Sequence, residues 1–322
     1  MKILFVCSGN SAFGISPITK NQGDSINKSD VVVSYFPIIG KGVLNYIKNI
    51  FLLKQHLSIN KYDIVHAHYS SSAFVAALAN TKLLVVSLMG SDVQGKYLSK
   101  LVIKFFYKLS WNKIIVKSNR MQNHLGFKNI SVVPNGVNLD VFYSMDKREC
   151  QKQLGWDYEK KHILFAANPT RPEKNFTLAK QAFSILNNGN IVLHFLNNVS
   201  PEKMPLWINS ADVVMLVSLR EGSPNVIKEA MACNRQIVST DVGDVSWLLD
   251  GLEGCYITSF DPENVAKNLK LSLRFSENKG QTKGRDKIIE LGLDSKTTAK
   301  RIISLYKSEL VFNEKKMCKT KN

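Results

Sequence analysis

Short, nearly unbroken apolar runs alternate with longer helical stretches in this chain, and the series occurs twice. The first comprises KILFVC (2–7), VVVSYF (31–36), DIVHA (63–67), LLVVSL (83–88), KIIVKS (113–118) and SVVP (131–134), with helical segments between several of them, notably around 70–80 and 95–110. The second comprises HILFAA (162–167), IVLHFL (191–196), DVVMLVS (212–218) and QIVST (236–240), with helices expected near 175–188 and 224–233. Strands that are apolar at nearly every position are buried on both faces, as in a parallel sheet covered by helices. Two such series in succession imply an α/β protein of two doubly wound, Rossmann-like domains. Ligands of open parallel sheets bind beyond the carboxyl ends of the strands, so a cleft between two facing domains is the expected site.

At 322 residues the chain has room for two domains. The polar segment 141–160 lacks strand periodicity and reads as the boundary. It gives an N-terminal domain 1–145, rejoined by a C-terminal helix at about 305–315, and a second domain 146–304. The end of the chain, 313–322, reads as a disordered tail. MKILFVC is too short for the apolar region of an export signal, and no apolar run of membrane-spanning length occurs, so a cytoplasmic protein is expected. The five cysteines (Cys7, Cys150, Cys233, Cys255 and Cys318) form no C-x-x-C pair, which argues against a disulfide framework or a zinc site.

The segment LREGSPNVIKEAMACNRQIVSTDVGD (219–244) carries the most chemistry. It follows an expected strand. Ser223 suits a helix N-cap and Pro224 the first helical position, with Asn234 able to adopt the left-handed conformation after the helix. Free backbone N–H groups and the helix dipole then form an anion site. Glu221 lies beside that site in the loop, and Glu229 lies about a turn and a half into the helix. Taken alone, two glutamates eight residues apart are ordinary surface charges. Flanking a phosphate site, they suit a molecule with a sugar at each end of a diphosphate, because carboxylates accept hydrogen bonds from hydroxyls.

Glu221, Gly222, Pro224, Glu229, Ala230, Ala232 and Cys233, followed by STDVGD, resemble the hallmark of the family-4 retaining glycosyltransferases of the GT-B fold, of the bacterial surface-polysaccharide type. The resemblance implies that Glu221 contacts the donor sugar and Glu229 the ribose of a UDP- or GDP-sugar. It implies that Gly222, Ser223, Pro224 and Asn225 turn backbone amides toward sugar and phosphate. Arg171 and Lys174 in NPTRPEKNF match the family's diphosphate-cradling cations, which would stabilise the leaving charge. His68 in DIVHAH matches an active-site histidine, with His66 read as structural. Gly14 in SGNSAFGIS matches a ligand-side glycine, and VVPNGVNLDVF (132–142) matches the approach to the interdomain linker. Many relatives carry a histidine where this chain has Met89 in SLMGSD, so no role is carried over to that position.

The family transfers sugar with retention of configuration, and no carboxylate here is placed to act as a nucleophile. Same-face attack by the acceptor hydroxyl is the implied mechanism. No Asp-x-Asp element occurs, so neither metal nor other cofactor is expected. The formal charge is +17, of which +11 falls in residues 1–160. Residues 96–128 hold Lys96, Lys100, Lys104, Lys108, Lys113, Lys117, Arg120 and Lys128 and no acid. The first four recur every four residues, and Leu98, Leu101, Val102, Phe105, Phe106 and Leu109 lie among them. This pattern fits a basic amphipathic helix on an anionic membrane face, where a glycan or lipid-linked acceptor would reside, as much as a solvated helix face. Two other readings compete. A nucleotide-sugar hydrolase or epimerase would share the donor cleft without this motif. A basic nucleic-acid-binding protein would be expected to carry a recognisable nucleic-acid motif, and none occurs.

Overall fold

The computed structural model describes residues 1–93, 97–186 and 189–319. The chain divides into two compact units, Met1–Gly136 with Ser295–Asn322, and Val137–Asp294. The first unit runs β1 (Lys2–Ser8), α1 (Pro17–Asn27), β2 (Val32–Ile38), α2 (Val43–Ile59), β3 (Ile64–His68), α3 (Ser70–Leu78), β4 (Leu84–Ser87), α4 (Tyr97–Leu109), β5 (Lys113–Val116), α5 (Asn119–Leu125) and β6 (Ile130–Val132). The second runs α6 (Lys147–Leu154), β7 (Lys161–Phe165), α7 (Phe176–Leu186), β8 (Ile191–Phe195), α8 (Met204–Ser210), β9 (Val213–Leu216), α9 (Asn225–Ala232), β10 (Gln236–Thr240), α10 (Val245–Leu249), β11 (Tyr256–Thr258), α11 (Pro262–Lys279) and α12 (Gly284–Glu290). The chain then returns to the first unit as α13 (Ser295–Lys319), so the segment from Asn313 that reads as a tail is helical as far as Lys319.

The first sheet is parallel throughout, in the order β2-β1-β3-β4-β5-β6. Successive strand residues point to opposite faces. Leu4 and Val6 of β1 pack with α2 to α5, while Ile3 and Phe5 face Ile26 of α1 and Ile302 and Tyr306 of α13. Both faces are thus covered, which is why the strands are apolar at nearly every position. The second sheet is also parallel, in the order β11-β10-β9-β7-β8. Leu164, Val214 and Ile237 face α8, α9 and α12; Ile163, Phe165, Met215 and Val238 face α7 and α11. Both units are doubly wound, as the alternating pattern implies.

Candidate functional site

In the second unit, three loops meet beyond the carboxyl ends of β7, β9 and β10. The backbone N–H of Leu219, after β9, donates to the Glu173 carbonyl, after β7, at 2.9 Å. The Thr240 hydroxyl, ending β10, donates to the Ser218 carbonyl at 2.8 Å. Gly243 has φ +63°, and a Cβ there would lie 2.8 Å from the Gly222 carbonyl oxygen. Only glycine therefore lets the loop after β10 lie against the loop carrying Glu221.

This convergence places the Lys174 ammonium against the Glu221 carboxylate as an ion pair, with both side chains mostly buried. The two residues are far apart in sequence, and the Leu219–Glu173 hydrogen bond sets their register. Arg171 does not join them. Its guanidinium binds Glu173 Oε1 through Nε at 2.8 Å and through a terminal nitrogen at 2.5 Å, and it is more than half exposed.

The helix after the loop begins one residue later than its capping pattern suggests. Pro224 is the N-cap of α9, and Ser223 caps nothing. The reason lies a turn further on. Lys228 is buried, and its Nζ donates to Ser223 Oγ at 3.1 Å, so the hydroxyl serves the lysine instead of the helix end. The buried Asp244 carboxylate lies beside both. Burial lowers the Lys228 ammonium to about 8, opposed by the negative charges of Asp244 and Glu229. Glu229 faces a low-dielectric surround, which raises its carboxyl to about 7 despite Lys228. Asn225 is half-buried at the start of α9, Gly222 and Pro224 are buried, and Asn234 takes φ +55° after the helix, as its residue type permits. Lys228, Gly243 and Asp244 escape a sequence reading that follows the spacing of the two glutamates. A lysine at an inward position of an otherwise apolar helix face (Ile227, Met231) was the available signal.

The other two expected residues belong to the first unit. His68 ends β3 and is buried against Phe5, ring centroids 4.4 Å apart, and His66, 4.3 Å apart. Neither ring nitrogen has a hydrogen-bond partner among the described residues. Burial and the nearby Lys117 hold its pKa well below the ordinary histidine value, so the ring is neutral at pH 7. His66 is fully tied: Nδ1 to the Tyr306 hydroxyl at 2.5 Å and Nε2 to Ser87 Oγ at 2.9 Å. Tyr69, directly after His68, holds φ +81°, a conformation costly for a side chain of its size. The Asp92 carboxylate organises the adjoining turn, accepting the N–H groups of Ser70, Met89 and Gly90 at 3.1, 3.0 and 2.9 Å. Gly14 has φ +73° in a turn closed on Ser11, and no atom lies within 4 Å of a Cβ there. Gly9 makes a close approach within the protein, where a Cβ would meet the Ile39 side chain at 2.5 Å.

Comparison with known proteins gives one match in each half of the chain. The family description "Glycosyltransferase Family 4" matches residues 14–141, and "Glycosyl transferases group 1" matches residues 161–274. Among curated relatives, TuaC of Bacillus subtilis, named for glycosyl transfer in teichuronic acid biosynthesis, is 27% identical over 58% of this chain and 55% of its own length. Three such relatives, this one included, are matched over only 55–64% of their length. The N,N'-diacetylbacillosaminyl-diphospho-undecaprenol alpha-1,3-N-acetylgalactosaminyltransferase of Campylobacter jejuni is 24% identical over 81% of both chains. Among solved structures, Anabaena Alr3699/HepE in complex with UDP-glucose has a TM-score of 0.73 at 16% identity, covering 96% of this chain and all of that one. That likeness shows the fold, which is GT-B.

Proposed function

The chain belongs to the family 4 glycosyltransferases, and from that premise we propose that it moves a hexose from a UDP- or GDP-sugar to a growing surface glycan or lipid-linked oligosaccharide. The Lys174–Glu221 pair at the N-terminus of α9 carries the proposal. Lys174 and the free N–H groups of α9 offer positive charge for a diphosphate, and Glu221 offers an acceptor for donor-sugar hydroxyls. Glu229 on the same helix suits the ribose. Gly222, Ser223, Pro224 and Asn225 supply the backbone between. The Anabaena protein of the same fold is seen in complexes with UDP, with UDP and glucose, and with UDP-glucose, which supports a uridine donor.

In the proposed reaction the acceptor oxygen bonds to the anomeric carbon as the bond to the diphosphate breaks. The acceptor proton passes to the departing phosphate oxygen on the same face, so configuration is retained. Lys174, Arg171 and the α9 N-terminus stabilise the charge that develops on the diphosphate, which needs no metal. Arg171 would have to leave Glu173 to take part. His68, neutral and with a free ring nitrogen among the described residues, suits a hydrogen bond to a sugar hydroxyl rather than a charge contact. Gly14, with no atom within 4 Å of a Cβ there, suits close approach of a ligand to the first unit. The Campylobacter relative's name, with its diphospho-undecaprenol acceptor, supports a lipid-linked acceptor. Among the described residues no helix is long and apolar enough to cross a membrane.

The test is a turnover screen of nucleotide sugars, with release of UDP or GDP as the readout. One donor should be consumed by the wild-type chain and about a hundredfold more slowly by Glu221→Ala or Lys174→Ala. Equal release by the variants would remove the assignment.

A further inference from the structure

The helical layer over one face of the first sheet is apolar on its outer side as well as its inner side. In α2, Tyr46, Ile50, Leu53 and Leu57 pack inward onto the core. Its outward stripe is also apolar: Leu44 is 83% exposed and Phe51 68%, with Val43, Ile47 and Leu52 exposed between and beside them. A helix apolar all round is normally buried, whereas a helix facing water carries polar residues on its outer side. The same holds for α4, where Ile103 is buried while Leu101, Val102, Phe105 and Leu109 are exposed. The layer is continuous, since α3 packs against both α2 and α4 and adds exposed Leu78.

Charge identifies the kind of partner. No acidic residue occurs in α2, α3 or α4. From Val31 to Leu139 only Asp63 and Asp92 are acidic, against thirteen lysines and arginines. Asp92 is buried, and Asp63 accepts the backbone N–H of Lys2 at the start of β1. Lys48 and Lys54 flank the α2 stripe; Lys104 and Lys108 flank the α4 stripe. Lys96 of the expected lysine stripe lies outside the described residues, as does the side chain of Lys100. Exposed large apolar side chains ringed by lysines, with no carboxylate among them, match the boundary between lipid headgroups and acyl chains. A groove of about 530 Å³ lined by Ile39, Lys48, Leu52 and Ile59 runs along α2 on the same layer.

We propose that the outer face of α2, continued by α4, is a membrane-docking surface for anionic lipid, with Leu44, Ile47 and Phe51 entering the interface and the lysines meeting lipid phosphates. The lysines of both helices supply electrostatic attraction, and the apolar stripes, the α2 stripe above all, add insertion, which salt does not screen. The inference rests on the proposed lipid-linked acceptor for its purpose, though not for its test.

The test is flotation with vesicles of phosphatidylcholine alone and of phosphatidylcholine with phosphatidylglycerol, at low and high salt. The full chain should float with the anionic vesicles and retain part of that binding at high salt. Leu44→Glu with Phe51→Glu should lower it by at least about tenfold. Both side chains face outward, so the variant should keep the wild-type melting temperature and donor turnover. Absence of flotation, flotation undiminished in the α2 variant, or loss only in Phe105→Glu would each overturn the proposal. Sedimentation showing a wild-type dimer that the α2 variant dissolves would assign the face to a second copy and overturn it too. Donor turnover reports separately on the catalytic reading: a chain that floats but consumes no nucleotide sugar contradicts that reading alone.

Discussion

The ammonium of Lys174, from the turn after β7, is paired with the carboxylate of Glu221, from the loop after β9. The pair aligns the only lysine of the 168–175 loop with the first glutamate of the motif, so the two act as one unit. Each single alanine variant should reduce donor turnover by about a hundredfold. The double variant should fall little further, because residues acting as a unit are not additive. Steady-state turnover of the three variants checks this, and multiplicative losses would mean that the pairing has no functional weight.

Glu229 titrates close to neutrality, since burial raises its carboxyl to about 7. In the proposed role, accepting hydrogen bonds from ribose hydroxyls, the ionised form is the stronger acceptor because both oxygens then accept. Nucleotide affinity should therefore rise as pH increases through about 7 and level off above it, while Glu229→Gln should bind weakly with no such rise. Stability runs the opposite way. A carboxyl with a raised folded pKa contributes stability that is complete below its unfolded value and lost as pH climbs through about 7. Glu229→Gln should thus gain on wild type at pH 8, by at most about 3 kcal/mol, in urea unfolding.

Lys228 is buried with Ser223 and Asp244. Lys228→Met should destabilise the second unit by about 3 kcal/mol, because the Asp244 carboxylate would remain buried without its cation. Adding Asp244→Asn should recover much of that loss. A double variant no more stable than Lys228→Met would show that the two side chains are uncoupled.

Gly243→Ala should cost about 1–3 kcal/mol through its positive φ and the 2.8 Å approach of the new Cβ to the Gly222 carbonyl. Because that carbonyl belongs to the loop carrying Glu221, turnover should fall more steeply than stability, as assays and melting curves on the same preparation would reveal.

Both doubly wound units were legible in the sequence because strands covered on both faces leave near-continuous apolar runs, KILFVC and DVVMLVS among them. The ends of α9 were legible to within a residue, and the left-handed Asn234 was read from residue type alone. The N-cap was not, since Ser223 turns to Lys228, a partner that becomes visible only when the helix face is built. For the same reason Arg171 and Lys174 look equivalent in NPTRPEKNF, yet one holds Glu173 and the other Glu221. Spacing identifies residues that share a loop; which neighbour each side chain takes depends on contacts between loops distant in the chain. The apolar outer face of α2 was likewise hidden, because a continuous apolar helix in sequence reads as core.

The most direct measurement is calorimetric titration of UDP and GDP into the wild-type chain and Lys174→Ala. One nucleotide should bind the wild type, and Lys174→Ala should weaken it by at least about tenfold while melting at the same temperature. Failure of both nucleotides to bind, or equal affinity in the variant, would contradict a diphosphate site at Lys174 and the N-terminus of α9.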